Sequence, residues 1–146
     1  MSLRDLYQEI IIDHGREPRN FGKLENANHR KIGVNPLCGD KLTLYLFERN
    51  GFVEEACFEG TGCAISVASA SLMIEAVKGK SLQEIEKLFA NFHRLLTAGK
   101  ATEIDMGKLA VFAGVAEFPV RVKCATLPWH TLKAALANDP QSVSTE

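Results

Sequence analysis

The sequence carries no surplus of charge of either sign: Lys plus Arg number 17 and Asp plus Glu 18, a formal net charge of -1. Without a basic excess there is no general electrostatic attraction to nucleic acid or to an anionic membrane surface, so neither is an expected partner. Long apolar runs are lacking as well. None approaches the roughly 18 residues of a membrane span, and Met1-Ser2-Leu3-Arg4-Asp5 does not have the basic-then-apolar order of a signal peptide. The expected location is the cytoplasm. Cysteine is scarce, at four residues, and in a reducing compartment four cysteines serve more often as thiols or metal ligands than as two disulfides. Repeats and low-complexity blocks are absent, and nothing marks a second domain.

What is present is ordinary globular material, 146 residues that are 46% apolar and 24% charged. Folding at this length buries about 70% of the surface an unfolded chain exposes, so the core needs no metal or disulfide to hold it. Any metal is then expected to be functional. One domain is expected over residues 1–137, followed by a polar, frayed tail over 138–146.

Leu3, Leu6, Tyr7, Ile10 and Ile11 recur at helical spacing behind a Ser2/Asp5 capping pair, which predicts a helix to about His14. Pro18, Asn20 and Gly22 then open a loop to about His29. From Ile32 the period becomes two. Leu42, Leu44 and Leu46 alternate with Thr43, Tyr45 and Phe47, Asn50-Gly51 makes a hairpin turn, and Phe52 to Phe58 returns as a strand. A shorter strand near Lys31 to Val34 completes a three-stranded antiparallel meander. Helices follow: one after Gly62 with Ile65, Ala68, Leu72 and Ala76 on a stripe, ending near Gly79, and one opened by Ser81/Glu84 and closed by Gly99. Beyond a linker over 100–105 come a short helix from Met106 to Val115 and, after a connection from Pro119, a last helix from Cys124 to about Ala137. The fold class is α+β, a small antiparallel sheet covered by helices.

Three of the cysteines have chemical context. Cys38 lies in the turn-rich Asn35-Pro36-Leu37-Cys38-Gly39-Asp40, where thiol and carboxylate stand two residues apart and can reach one metal from one loop. Cys63 follows Gly60-Thr61-Gly62 at a helix start, where free N–H groups and the helix dipole favour negative charge on sulfur. Cys124 is read as opening the last helix in the same way. With Asp40 they form a candidate tetrahedral zinc set, thiolates at about 2.3 Å and a carboxylate at about 2.0 Å. Such a site is over-charged and holds one hard ligand, so it should exchange its metal.

Spacing alone leaves this open. Cys38 and Cys63 lie 25 positions apart and Cys63 and Cys124 lie 61 apart, which matches no short zinc-finger pattern, and free cysteine also behaves as a small buried hydrophobe. Cys57, mid-strand in Ala56-Cys57-Phe58, reads as structural. His14, His29, His93 and His130 are scattered and read as core or surface residues. Arg121, three residues before Cys124, either offsets the site's charge, holds Asp40, or is a plain surface cation. The Gly60-Thr61-Gly62 turn lacks the lysine of a phosphate loop.

Three blocks, Asn35-Pro36-Leu37-Cys38-Gly39-Asp40, then Phe58-Glu59-Gly60-Thr61-Gly62-Cys63-Ala64-Ile65-Ser66, then Phe118-Pro119-Val120-Arg121-Val122-Lys123-Cys124, resemble the signatures of the iron-sulfur scaffold family. That family comprises the IscU-type scaffolds, the NifU N-terminal domain and the SufU branch. The resemblance runs from Asp13-His14 and Pro18-Arg19-Asn20 to the final helix, and it implies the family's α+β fold. IscU-type chains carry histidine before the last cysteine, where this chain has Lys123, which while protonated has no lone pair for a metal. The stretch from Thr97 to Val115 resembles the SufU insertion, and Phe118-Pro119-Val120-Arg121-Val122 replaces the chaperone motif of IscU-type chains.

The SufU resemblance implies a zinc-dependent sulfurtransferase. Its zinc ligands would be Cys38, Asp40, Cys63 and Cys124, and Cys38 would accept persulfide sulfur from a SufS-type cysteine desulfurase. Sulfur would pass on to iron-sulfur assembly proteins or apo-protein acceptors. Whether this counts as enzymatic catalysis stays open. The alternative is a scaffold that holds a transient iron-sulfur cluster on the same residues. A third reading, a zinc-stabilised module without chemistry, is weakened by the carboxylate, since structural zinc sites are usually all Cys and His.

Overall fold

The computed structural model describes residues 2–98, 106–137 and 143–144. Helix α1 spans Leu3–Arg16 and starts as expected: the Asp5 N–H donates to Ser2 Oγ at 3.2 Å and the Ser2 N–H to the Asp5 carboxylate at 3.3 Å. Strands β1 (His29–Asn35), β2 (Asp40–Arg49) and β3 (Phe52–Thr61) form the antiparallel meander. Asn50 and Gly51 both take positive φ, 55° and 80°, the geometry that a two-residue hairpin loop requires.

Helices α2 (Ala64–Val77), α3 (Leu82–Ala98) and α4 (Pro119–Leu136) cover the sheet, with an eleven-residue 3₁₀ helix at Gly107–Glu117 between the last two. Leu44, Leu46 and Phe58 on the strands meet Leu72 and Met73 of α2 and Trp129 of α4 in one core, where Trp129 stacks on Phe92 at 4.5 Å between ring centres. The serines of α2 permit close helix packing: buried Ser69 donates to the Ala125 carbonyl of α4 at 2.6 Å. Gly33 does the same for β1, because a Cβ there would collide with Thr131 of α4.

Three expectations need correction. The last helix begins at Pro119, not Cys124, since proline at the first helical position gives up no hydrogen bond and has its φ preset. The segment after Met106 is a 3₁₀ helix, closed by i to i-3 bonds such as Leu109 N–H to the Met106 carbonyl. The sheet also has a short fourth strand, β4 (Val143–Ser144), parallel to Gly33–Val34 on the free edge of β1. Gly99 and the expected linker lie outside the described residues, as does the rest of the tail.

Candidate metal centre

The first hairpin builds half of the site. Asn35 and Asp40 are its closing pair, and the turn between them carries Cys38, whose N–H donates to the Asn35 carbonyl at 3.2 Å. On the other side of β2, Lys41 pairs with Thr61, so β3 ends beside Asp40 and delivers Cys63. The Cys63 N–H donates to Asp40 Oδ1 at 2.8 Å, and its Sγ lies 3.9 Å from Asp40 Oδ2. Gly62, at φ 154°, makes this approach possible, since a Cβ there would collide with the Asp40 carboxylate and Cα. Cys63 is the N-cap of α2, and its sulfur accepts from the Ser66 N–H at 3.4 Å.

Cys124 arrives from α4, inside the helix rather than at its start. It is therefore held by the helix backbone on both sides and is buried, at 2% exposure. Its thiol donates to Cys38 Sγ at 3.2 Å. Burial pushes the Cys124 thiol far above the ordinary range, and hydrogen bonds with Cys38, Asp40 and Cys63 push it the same way. Without a cation this sulfur keeps its proton; a metal would displace it.

Ligand atoms of Cys38, Asp40 and Cys124 lie within 4.8 Å of one another, the one such group of three or more among the described residues. Tetrahedral zinc at the bond lengths given above separates its ligand atoms by about 3.5–3.8 Å. The ligand atoms of Cys38, Asp40 and Cys124 are close enough to meet on such an ion, whereas Cys63, expected from the sequence as the fourth ligand, stands outside this group and touches it at Asp40.

Residues 6–138 match the NifU-like N terminal domain family. The chain belongs to that family. This NifU-type chain is 39% identical over 143 residues to the zinc-dependent sulfurtransferase SufU of Bacillus subtilis, covering 94% of each chain. It is 38% identical over 136 residues to the iron-sulfur cluster assembly scaffold protein IscU of Thermotoga maritima, covering 93% of this chain and 96% of that one. The crystal structure of a candidate iron-sulfur cluster assembly scaffold for the SUF system of Fervidobacterium islandicum superposes with a TM-score of 0.83 at 38% identity, over 92% of this chain and 99% of that one. The α+β fold expected from the residues is thus the fold of the family.

Other residues of this NifU-type chain stand apart. Cys57 pairs with Tyr45, four positions up β3 from Thr61 and so about 13 Å from the site along the strand. Burial raises its thiol too. Cys57→Ser is expected to keep the full metal content and the parent unfolding temperature within a few degrees; metal loss measured by elemental analysis would place Cys57 in the site. Arg121 lies over the Phe118 ring at 4.4 Å and is exposed, while Asp40 is held by Cys63 and Asn35. His14, read as a scattered histidine, has a packing task. Buried on α1, it bonds Ser71 Oγ through Nδ1 at 2.8 Å, and Ser71 also accepts the Arg19 N–H at 2.9 Å, which ties the loop after α1 to α2.

Proposed function

We propose that the protein accepts sulfur on Cys38 from the persulfide of a SufS-type cysteine desulfurase and passes it into iron-sulfur cluster biogenesis, with zinc held by Cys38, Asp40, Cys63 and Cys124. The observation that carries this reading is the meeting of the Cys38, Asp40 and Cys124 ligand atoms, with Cys38 alone on a turn whose neighbours Pro36, Leu37 and Gly39 are exposed. The similarity to a zinc-dependent sulfurtransferase along nearly the whole chain supports it. Zinc, when bound, keeps the surrounding sulfurs ionised at neutral pH while damping their nucleophilicity.

In the transfer, the Cys38 thiolate attacks the terminal sulfur of the partner's Cys–S–SH. A new S–S bond forms on Cys38, the partner's S–S bond breaks, and its cysteine leaves as thiolate, so no oxidant or reductant is needed. The partner must bring its persulfide to this end of the molecule. Leu37, beside Cys38, is 64% exposed, and Val120, at the start of α4, is 56% exposed, an apolar rim suited to a protein surface.

Purified protein is expected to hold one zinc per chain without cluster colour and to raise the turnover of a SufS-type desulfurase. Protein without zinc, or without effect on turnover, would refute the reading. The second reading, a scaffold for a transient cluster, is favoured by the scaffold relatives at nearly equal identity. Against it stands Lys123, whose ammonium offers no lone pair beside Cys124.

Asp40→Ala separates ligand from structural roles. Removing the carboxylate leaves three thiolates for the metal, so zinc should remain but exchange faster. The Cys63 N–H and the buried Asn35 amide also lose an acceptor, a cost of about 1–3 kcal/mol in stability. Exchange into an excess of chelator at the parent's rate would show that the carboxylate is no ligand.

A further inference from the structure

Asn35 ends β1, faces Asp40 across the hairpin, and is wholly buried, at 0% exposure. Its side-chain nitrogen donates to Asp40 Oδ2 at 3.2 Å and lies 3.5 Å from Cys124 Sγ, again as donor. Its side-chain oxygen is equally buried and has no partner. Buried acceptors are seldom left unpaired, so this orientation is set by what the nitrogen does. Turned over, the amide would aim oxygen lone pairs at the Asp40 carboxylate, where they would be repelled.

We propose that Asn35 is a positioning residue of the metal centre. Its two N–H groups hold Asp40 and Cys124 so that their remaining lone pairs converge, and neither reaches the Cys38 sulfur, which is left as the ligand that can depart. Donation to anionic ligands also disperses charge in a site with four of them. The inference rests on the reading of Cys38, Asp40, Cys63 and Cys124 as ligands and adds to them a residue that touches no metal.

The test is zinc affinity of the full-length Asn35→Ala and Asn35→Ser proteins, by competition with a chromophoric chelator, with thermal unfolding of the metal-free forms in parallel. Both variants should bind zinc about 10–100-fold more weakly, as loss of an outer partner of a metal ligand does. The sulfur-to-metal charge-transfer band of their cobalt(II) forms should shift, because Cys124 has lost its donor. Affinity within about threefold of the parent, with only the metal-free unfolding temperature lowered, would make Asn35 a packing residue and overturn the proposal. Should neither variant fold, the cadmium-113 form of the parent decides. Coupling between cadmium and the Asn35 side-chain amide protons, carried through Cys124 Sγ, is the expected result; no coupling overturns the proposal. A parent that binds neither zinc nor cadmium overturns the ligand reading as well, and so is distinguishable from failure of the Asn35 proposal alone.

Discussion

Cys124→Ser is expected to empty the metal centre. Cys124 is the buried cysteine of the cluster and sits within α4, so no neighbouring cysteine can move into its place. Serine at that point offers a hydroxyl that does not ionise at neutral pH and is a far poorer ligand for zinc than thiolate. Zinc affinity should fall by more than about 100-fold, beyond what loss of a supporting hydrogen bond costs. Linkage supplies a second readout. Zinc at about 100 times its dissociation constant stabilises the folded state by about 2.7 kcal/mol, or roughly 5–10 °C in unfolding temperature for a chain of this size. A strong chelator should therefore lower the unfolding temperature of the parent by that amount and leave Cys124→Ser unchanged. Cys63→Ser should behave alike, with added loosening at the start of α2, where the Cys63 sulfur caps the helix. One zinc per chain in either variant would sink the ligand assignment.

Cys38 alone should become persulfidated when the protein is mixed with a SufS-type desulfurase and free cysteine, and Cys38→Ser should lose sulfur acceptance completely. Two constraints select this residue. The attacking sulfur must reach a persulfide on another protein, and the turn carrying Cys38 is flanked by exposed Pro36, Leu37 and Gly39. It must also be able to move. Cys63 is bound to α2 through its sulfur as the cap, and Cys124 is fixed along α4, whereas Cys38 sits on a four-residue connection between β1 and β2, tied by its N–H to the Asn35 carbonyl and by no helix. Mass spectrometry of the trapped intermediate distinguishes the cases. Added sulfur on Cys63 or Cys124 with Cys38 unmodified would refute the mechanism, and no added sulfur anywhere would transfer support to the scaffold reading.

Much of the molecule was legible because its signals are local. The Ser2/Asp5 and Ser81/Glu84 caps formed as hydrogen-bonded pairs, and Asn50-Gly51 made the hairpin, since each depends on groups within three residues of one another. The start of α4 was misplaced because Pro119 reads equally as a loop residue and as a first helical residue; burial of the segment behind it decides which. The 3₁₀ helix after Met106 has the apolar spacing of an ordinary helix, and periodicity does not separate the two hydrogen-bond patterns.

By itself the sequence determined the residue types of the centre, the turn that pairs Cys38 with Asp40, and the family whose motifs they form. Chemistry of that kind is written in short segments. Only the tertiary structure decided that Cys124, 86 residues from Cys38, brings its sulfur to Cys38 and Asp40, and that Cys63, 25 residues from Cys38, lies against Asp40. It also decided that Asn35 bridges Asp40 and Cys124, that Gly62 leaves room for the Asp40 carboxylate, and that Arg121 rests on Phe118 instead. These follow from strand register and helix packing, which couple residues far apart in the chain, and a periodic pattern specifies a face without naming its neighbour.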